Sequence, residues 1–125
     1  MHAEAPSSPD AQPLALGLLL VPEFPLMAFS SAIEPLRAAN LISGKDLYRW
    51  HLLSADGKPV QSSSGIGVLP DAAVEEAPRL DSVFVCGGLH PQGFDDPRAL
   101  NWLRERAQGG TAVGALSTGT FVLAR

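Results

Sequence analysis

A single cysteine, Cys86, excludes an intrachain disulfide. Disulfide-framed folds are thereby ruled out, and a reducing, cytoplasmic setting is expected. With 3 histidines and 1 cysteine, all well separated, no metal-ligand spacing is present, and neither metal nor cofactor is expected. Basic residues are few, 9 Lys and Arg against 13 Asp and Glu, for a net charge of −4. No window is rich in Lys or Arg, so any DNA would have to be held by another segment. The longest apolar run, within Leu14–Val21, falls far short of the roughly 20 residues of a membrane span. Met1–Pro13 carries no Lys or Arg and so lacks the charged start of a signal peptide. Its Ala, Pro and Ser content suggests a disordered leader.

What is present is a globular composition: 46% apolar and 18% charged over 125 residues, enough for one domain. Leu14–Val21 reads as a strand covered on both faces. From Leu26 to Leu41 the pattern is helical, with Leu26, Phe29 and Ile33 on one side and Met27, Ser31 and Glu34 on another. Pro35 lacks an N–H and crowds the preceding turn, so a break near Glu34 is expected, with a second helical stretch to Asn40. Tyr48–Ser54 reads as a strand closed by the Ala55-Asp56-Gly57 turn, and Ile66–Leu69 as a short edge strand. Ala72–Glu76 looks like a helical turn or two. Ser82–Cys86 is a β-branched apolar strand, and Pro97 opens an amphipathic helix to Gln108 that Gly109-Gly110 ends. Thr111–Leu116 is a further strand, and a helix begins at Gly119 and runs to Arg125. Strands alternating with helices argue a parallel α/β sheet. The last apolar face, Phe121-Val122-Leu123, calls for a partner, so the domain is expected to be C-terminally truncated.

Two loops could carry chemistry. In Gly114-Ala115-Leu116-Ser117-Thr118-Gly119 a strand turns into a helix through small polar residues, the layout of a nucleophile elbow. Taken alone, the same string is equally an N-cap, with Ser or Thr accepting an amide hydrogen bond. Val85-Cys86-Gly87-Gly88-Leu89-His90 also follows a strand, which places both loops at the carboxyl edge, where ligands bind in parallel sheets. Glu34 either lines that pocket from the first helix or faces solvent. His90 either serves Ser117 as a base or is a solvated loop histidine. His51, inside a strand, reads as structural, and Cys86 as a small buried hydrophobe.

The strings VPEFPLMAFSSAIEPLRAAN, LLSADGKPVQSSSGIGVLPDAA, DSVFVCGG and GALSTGTFVLAR, in this order, resemble the ThiJ/PfpI-type (DJ-1/PfpI-like) class I amidotransferase-like domain. More narrowly they are similar to the N-terminal domains of GlxA-like AraC-family regulators, over Leu14 to Arg125. The resemblance implies a flavodoxin-like parallel sheet with helices on both faces, covering 14–125 after the leader 1–13. It also implies a domain that senses a small metabolite, an amino-acid-like or nitrogenous effector, and that forms a homodimer. DNA would be bound only through a helix-turn-helix domain absent from this chain, and no membrane is involved.

The same resemblance puts Ser117 where catalytic relatives carry cysteine, Ala28 where they carry a carboxylate, and Thr118 where protease-like members carry histidine. A serine hydroxyl without a base is a poor nucleophile, so a non-catalytic pocket is expected. It would be built from Gly87, Gly88, His90, Ser117, Thr118 and Glu34, with the Gly88 and Thr118 amides at the family's oxyanion position. The alternative is a hydrolase or amidase of the same fold that uses Ser117 as nucleophile with His90. A third reading is an interaction module without a ligand.

Overall fold

The computed structural model describes residues 12–90 and 93–124. Most of the expected disordered leader and the end of the last helix at Arg125 lie outside the described residues. Five parallel strands form one sheet in the order β5-β2-β1-β6-β7. They are β1 (Leu14–Leu20), β2 (Tyr48–Ser54), β5 (Ala72–Ala73), β6 (Ser82–Cys86) and β7 (Ala112–Leu116). Two residues each, β3 (Val60–Gln61) and β4 (Gly67–Val68), pair antiparallel as a separate ribbon. The helices are α1 (Leu26–Ser43), α2 (Pro97–Gln108) and α3 (Gly119–Leu123).

Strand β1 lies at the centre because its leucines can be buried on both faces. Alternate residues divide between two cores. Leu18 and Leu20 pack with Phe24, Cys86 and the α1 residues Leu26, Phe29 and Ile33. Leu19 and Val21 pack on the other face with Val83, Val85, Trp102, Leu103 and Val122, from β6, α2 and α3. Each such fully buried side chain contributes about 1.5–3 kcal/mol. The parallel sheet with helices on both faces is therefore the arrangement expected from the sequence.

Local chemistry sets the ends of the helices. Asp96 caps α2 by accepting from the Arg98 amide at 3.0 Å, and Pro97 takes the first helical position. Gly44, at φ 68°, closes α1 with its amide on the Asn40 carbonyl. The Asn40 side chain in turn receives the amides of Leu47 and Tyr48, which fixes the entry into β2.

Three expectations need correction. The break expected near Glu34 is not there: α1 runs unbroken through Pro35. The carbonyl that Pro35 leaves without a partner belongs to Ser31, and both residues lie on the exposed side of α1. Water can take that carbonyl, so the lost bond does not force a kink. The strand expected at Ile66–Leu69 is shorter, Gly67–Val68, and its partner is the unforeseen β3. Ala72–Glu76 is not one helical stretch. Ala72 and Ala73 add β5 to the edge of β2, and only Val74–Glu76 coils, as a 3-10 turn.

Candidate functional site

The chain runs from β1 out to β2 and β5 on one side, then returns to place β6 and β7 on the other. The strand order therefore reverses between β1 and β6, and a crevice opens outside the carboxyl ends of strands at such a point. Three loops meet there: Pro22–Pro25 after β1, the segment from Gly87 after β6, and Ser117-Thr118 after β7.

Glycines make the close approach of these loops possible. A Cβ on Gly87 would overlap the Thr118 carbonyl carbon and the Gly119 amide nitrogen, and one on Gly88 would overlap the Pro22 carbonyl oxygen. Only glycine tolerates such proximity of backbone to backbone. The amide of Gly87 donates to the Leu116 carbonyl at 3.2 Å, and the hydroxyl of Thr118 donates to the Gly88 carbonyl at 2.6 Å. The β6 and β7 loops thus form one unit.

Ser117 occupies the left-handed region at φ 54° and is exposed. A non-glycine residue held there is uncommon and strained by order 1–3 kcal/mol, and such strain clusters at functional turns. This is the geometry of the elbow. The cap reading of the same string does not hold: Thr118 stands at the N-cap position of α3, yet no side chain there accepts an amide. Among the described residues, no protein acceptor pairs with the amide N–H of Gly88 or of Thr118. Two backbone donors are left free on either side of the Thr118–Gly88 bond.

His90 is 78% exposed, and its Nδ1 lies 3.0 Å from Oε1 of Glu23. It is not bonded to Ser117. Glu23 itself sits at φ 68° and joins the loop after β1 to the loop after β6. An exposed pair of this kind contributes at most about 1 kcal/mol, so it orients the loops without locking them. Sequence reading missed Glu23. Its one signal was an acidic residue beside the Pro22 that ends the first apolar run, in a loop destined for the carboxyl edge.

Glu34 is not brought to this crevice. It is exposed on α1, with its carboxylate 2.6 Å from the Arg37 guanidinium one turn on. Ala28 lies partly buried in the first turn of α1 and His51 half-buried in the middle of β2. Cys86 is 1% exposed, and burial pushes its thiol pKa up to about 12, so it is an inert hydrophobe at neutral pH. Among the described residues no group of three or more His, Cys, Asp or Glu could hold a metal ion. No helix described is long and apolar enough to cross a membrane.

Known proteins share this architecture. The chain is 42% identical over 127 aligned positions to the HTH-type transcriptional regulator GbdR of Pseudomonas aeruginosa, covering 100% of this chain and 35% of that protein. It is 41% identical to the HTH-type transcriptional regulator GlxA of Rhizobium meliloti, covering 96% of this chain and 37% of that one. Among solved structures, an AraC family transcriptional regulator from Pseudomonas putida superposes with a TM-score of 0.79 at 29% identity, over 89% of this chain and 60% of its own. The chain thus spans about a third of the length of the curated relatives it matches. The parallel sheet, the glycine-bound loops and the strained turn at Ser117 agree with a match to the DJ-1/PfpI family over residues 18–125, and the chain belongs to that family.

Proposed function

We propose that this chain is the non-catalytic sensing domain of an AraC-family transcription regulator, and that it binds the carboxylate of a small metabolite beside Ser117. The observation that carries the reading is the pair of free amide donors at Gly88 and Thr118, held together by the 2.6 Å Thr118–Gly88 bond next to an exposed Ser117. Preorganised backbone donors bind an oxyanion at little reorganisation cost. Ser117 at the cysteine position and Ala28 at the carboxylate position leave the site without a nucleophile–base pair, and His90 is engaged by Glu23. The site holds its ligand and does not attack it.

The similarity to HTH-type regulators supports the rest of the reading. The whole protein is a cytoplasmic homodimer that contacts DNA through a separate helix-turn-helix domain, and the effector is a small amino-acid-like or nitrogenous carboxylate. Effector binding shifts the protein between two states in proportion to its difference in affinity for them.

Calorimetric titration of this chain with a panel of amino acids and other small nitrogenous carboxylates tests the site. Asn and Asp both tolerate the left-handed backbone that Ser117 adopts. Ser117→Asn is expected to keep the binding, and Ser117→Asp to weaken it by at least about tenfold through like-charge repulsion. Equal affinity in the two variants, or no saturable binding by any member of the panel, overturns the proposal. Hydrolysis of an ester probe that disappears in Ser117→Ala would establish the hydrolase reading instead.

A further inference from the structure

The loop after β1 brings a negative charge to the crevice whose Gly88 and Thr118 amides attract anions. Gly88 lies so close to this loop that a Cβ there would overlap the Pro22 carbonyl oxygen and stand 3.2 Å from the Glu23 carbonyl carbon. The Glu23 carboxylate reaches the loop that Gly88 occupies, with Oε1 3.0 Å from Nδ1 of His90. We propose that Glu23 is a specificity residue of this site, and that it selects a carboxylate bearing an ammonium group over one that bears none. The inference rests on the carboxylate site proposed above and adds the charge of the ligand's second group and the residue that reads it.

Backbone strain is the first support. Among the described residues two non-glycine residues have positive φ, Glu23 at 68° and Ser117 at 54°, and both belong to loops of this crevice. Glycine adopts such a backbone freely, whereas glutamate is strained in it. The bend itself is fixed by the main chain: the Glu23 amide donates to the Gln61 carbonyl at 2.8 Å, and the Phe24 amide to the Val21 carbonyl at 3.1 Å. The fold therefore needs the bend and not the carboxylate. It gains little from the side chain, whose one ion-pair partner among the described residues is the 78% exposed His90. Strain kept where it does not serve stability marks a side chain in use.

Charge says what the use is. A carboxylate beside two amide donors repels the acid that those donors attract. A ligand that also carries an ammonium group escapes this penalty and gains a charge-assisted hydrogen bond. His90 takes Oε1, and Oε2 has no protein donor among the described residues, so one oxygen is open to the ligand. Repulsion built in against the wrong ligand is a general route to specificity.

Calorimetric titration at pH 8, where free imidazole is uncharged, compares each amino acid of the panel above with the acid in which methyl replaces ammonium. Glycine is set against propionate, and 4-aminobutyrate against valerate. The ammonium acid of the best-bound pair is expected to bind about fivefold or more tightly than its isostere. Glu23→Gln keeps the side-chain shape and is expected to erase that preference without weakening the isostere. Glu23→Gly, suited to φ 68°, is expected to erase it too, with a Tm at or above that of the wild type. If amino acids and isosteres bind alike in the wild type, or if the preference survives both substitutions, the role of Glu23 is overturned and the carboxylate site stands. If no acid of either kind binds, the carboxylate site itself falls, and this inference with it.

Discussion

The hydroxyl of Thr118 reaches across 30 residues of sequence to the carbonyl of Gly88 at 2.6 Å, and this bond joins the loop after β7 to the loop after β6. Among the described residues, no acceptor pairs with the amide of either residue. Thr118→Val keeps the side-chain shape and removes the donor. The carbonyl of the buried Gly88 then loses its partner, and stability is expected to fall by about 1–2 kcal/mol. Urea unfolding measures this. A midpoint unchanged at constant slope would show that water replaces the bond and that the loops do not depend on it. Carboxylate binding beside Ser117 should weaken in parallel, because the two donors would no longer be held in register.

Gly87 and Gly67 make a controlled comparison. A Cβ on Gly87 would meet the Thr118 backbone and the Gly119 amide, whereas Gly67 has nothing within 4 Å. Gly87→Ala should destabilise the chain by about 3 kcal/mol or more, since the obstructing atoms are backbone and cannot rotate away. Gly67→Ala should change stability by less than about 1 kcal/mol. Thermal melts of the two variants side by side check this. A similar effect at both positions would contradict the close packing of the two loops.

Pro35 gives a prediction of opposite sign. The continuous α1 tolerates it only because Ser31 and Pro35 are exposed, and the helix still lacks one hydrogen bond there. Pro35→Ala restores the bond and improves helix propensity, offset in part by the freer unfolded chain. Stability should rise by about 1 kcal/mol, visible as a higher Tm. A lower Tm would mean that the proline ring contributes packing that its exposure does not suggest.

The same residue illustrates what the sequence could and could not reveal. The strands β1 and β6 were legible because burial on two faces demands unbroken apolar runs, β2 because its aromatic and apolar residues end at the Ala55-Asp56-Gly57 turn, and α2 because Asp96, Pro97 and Gly109 mark its ends. Whether Pro35 breaks α1 depends on which way the Ser31 carbonyl faces, and the side of a helix that meets solvent is a tertiary fact. Strands of two residues, β3 and β5, are too short to show a period, and contacts distant in sequence hold them in place. The loop after β1 reaches the ribbon through a Phe24–Ser62 bridge and the Glu23 amide on the Gln61 carbonyl. The elbow at Ser117 was readable as strand–polar–small–helix, and its strained φ explains why it does not behave as a cap. The Glu23–His90 pair, 67 residues apart in the chain, left no local trace.

Cys86 supplies the last prediction. Its thiol sits in the core at the end of β6, beside Leu18, Leu20 and Phe24, and desolvation raises its pKa from 9.0 to about 12. The folded state therefore holds the proton more tightly than the unfolded one, so the contribution is complete below about pH 9. Above that, the unfolded thiol ionises first, and the contribution is lost as pH climbs toward about 12. Its size is of order a few kcal/mol. Native protein at pH 8 should resist a thiol reagent and react stoichiometrically once urea unfolds it, because only the thiolate attacks. Between pH 9 and pH 11 the wild type should lose stability faster than Cys86→Ala, which starts lower because of the cavity but has no thiol to titrate. Parallel curves for the two proteins, or rapid labelling of the native chain, would place Cys86 in contact with water and contradict its burial.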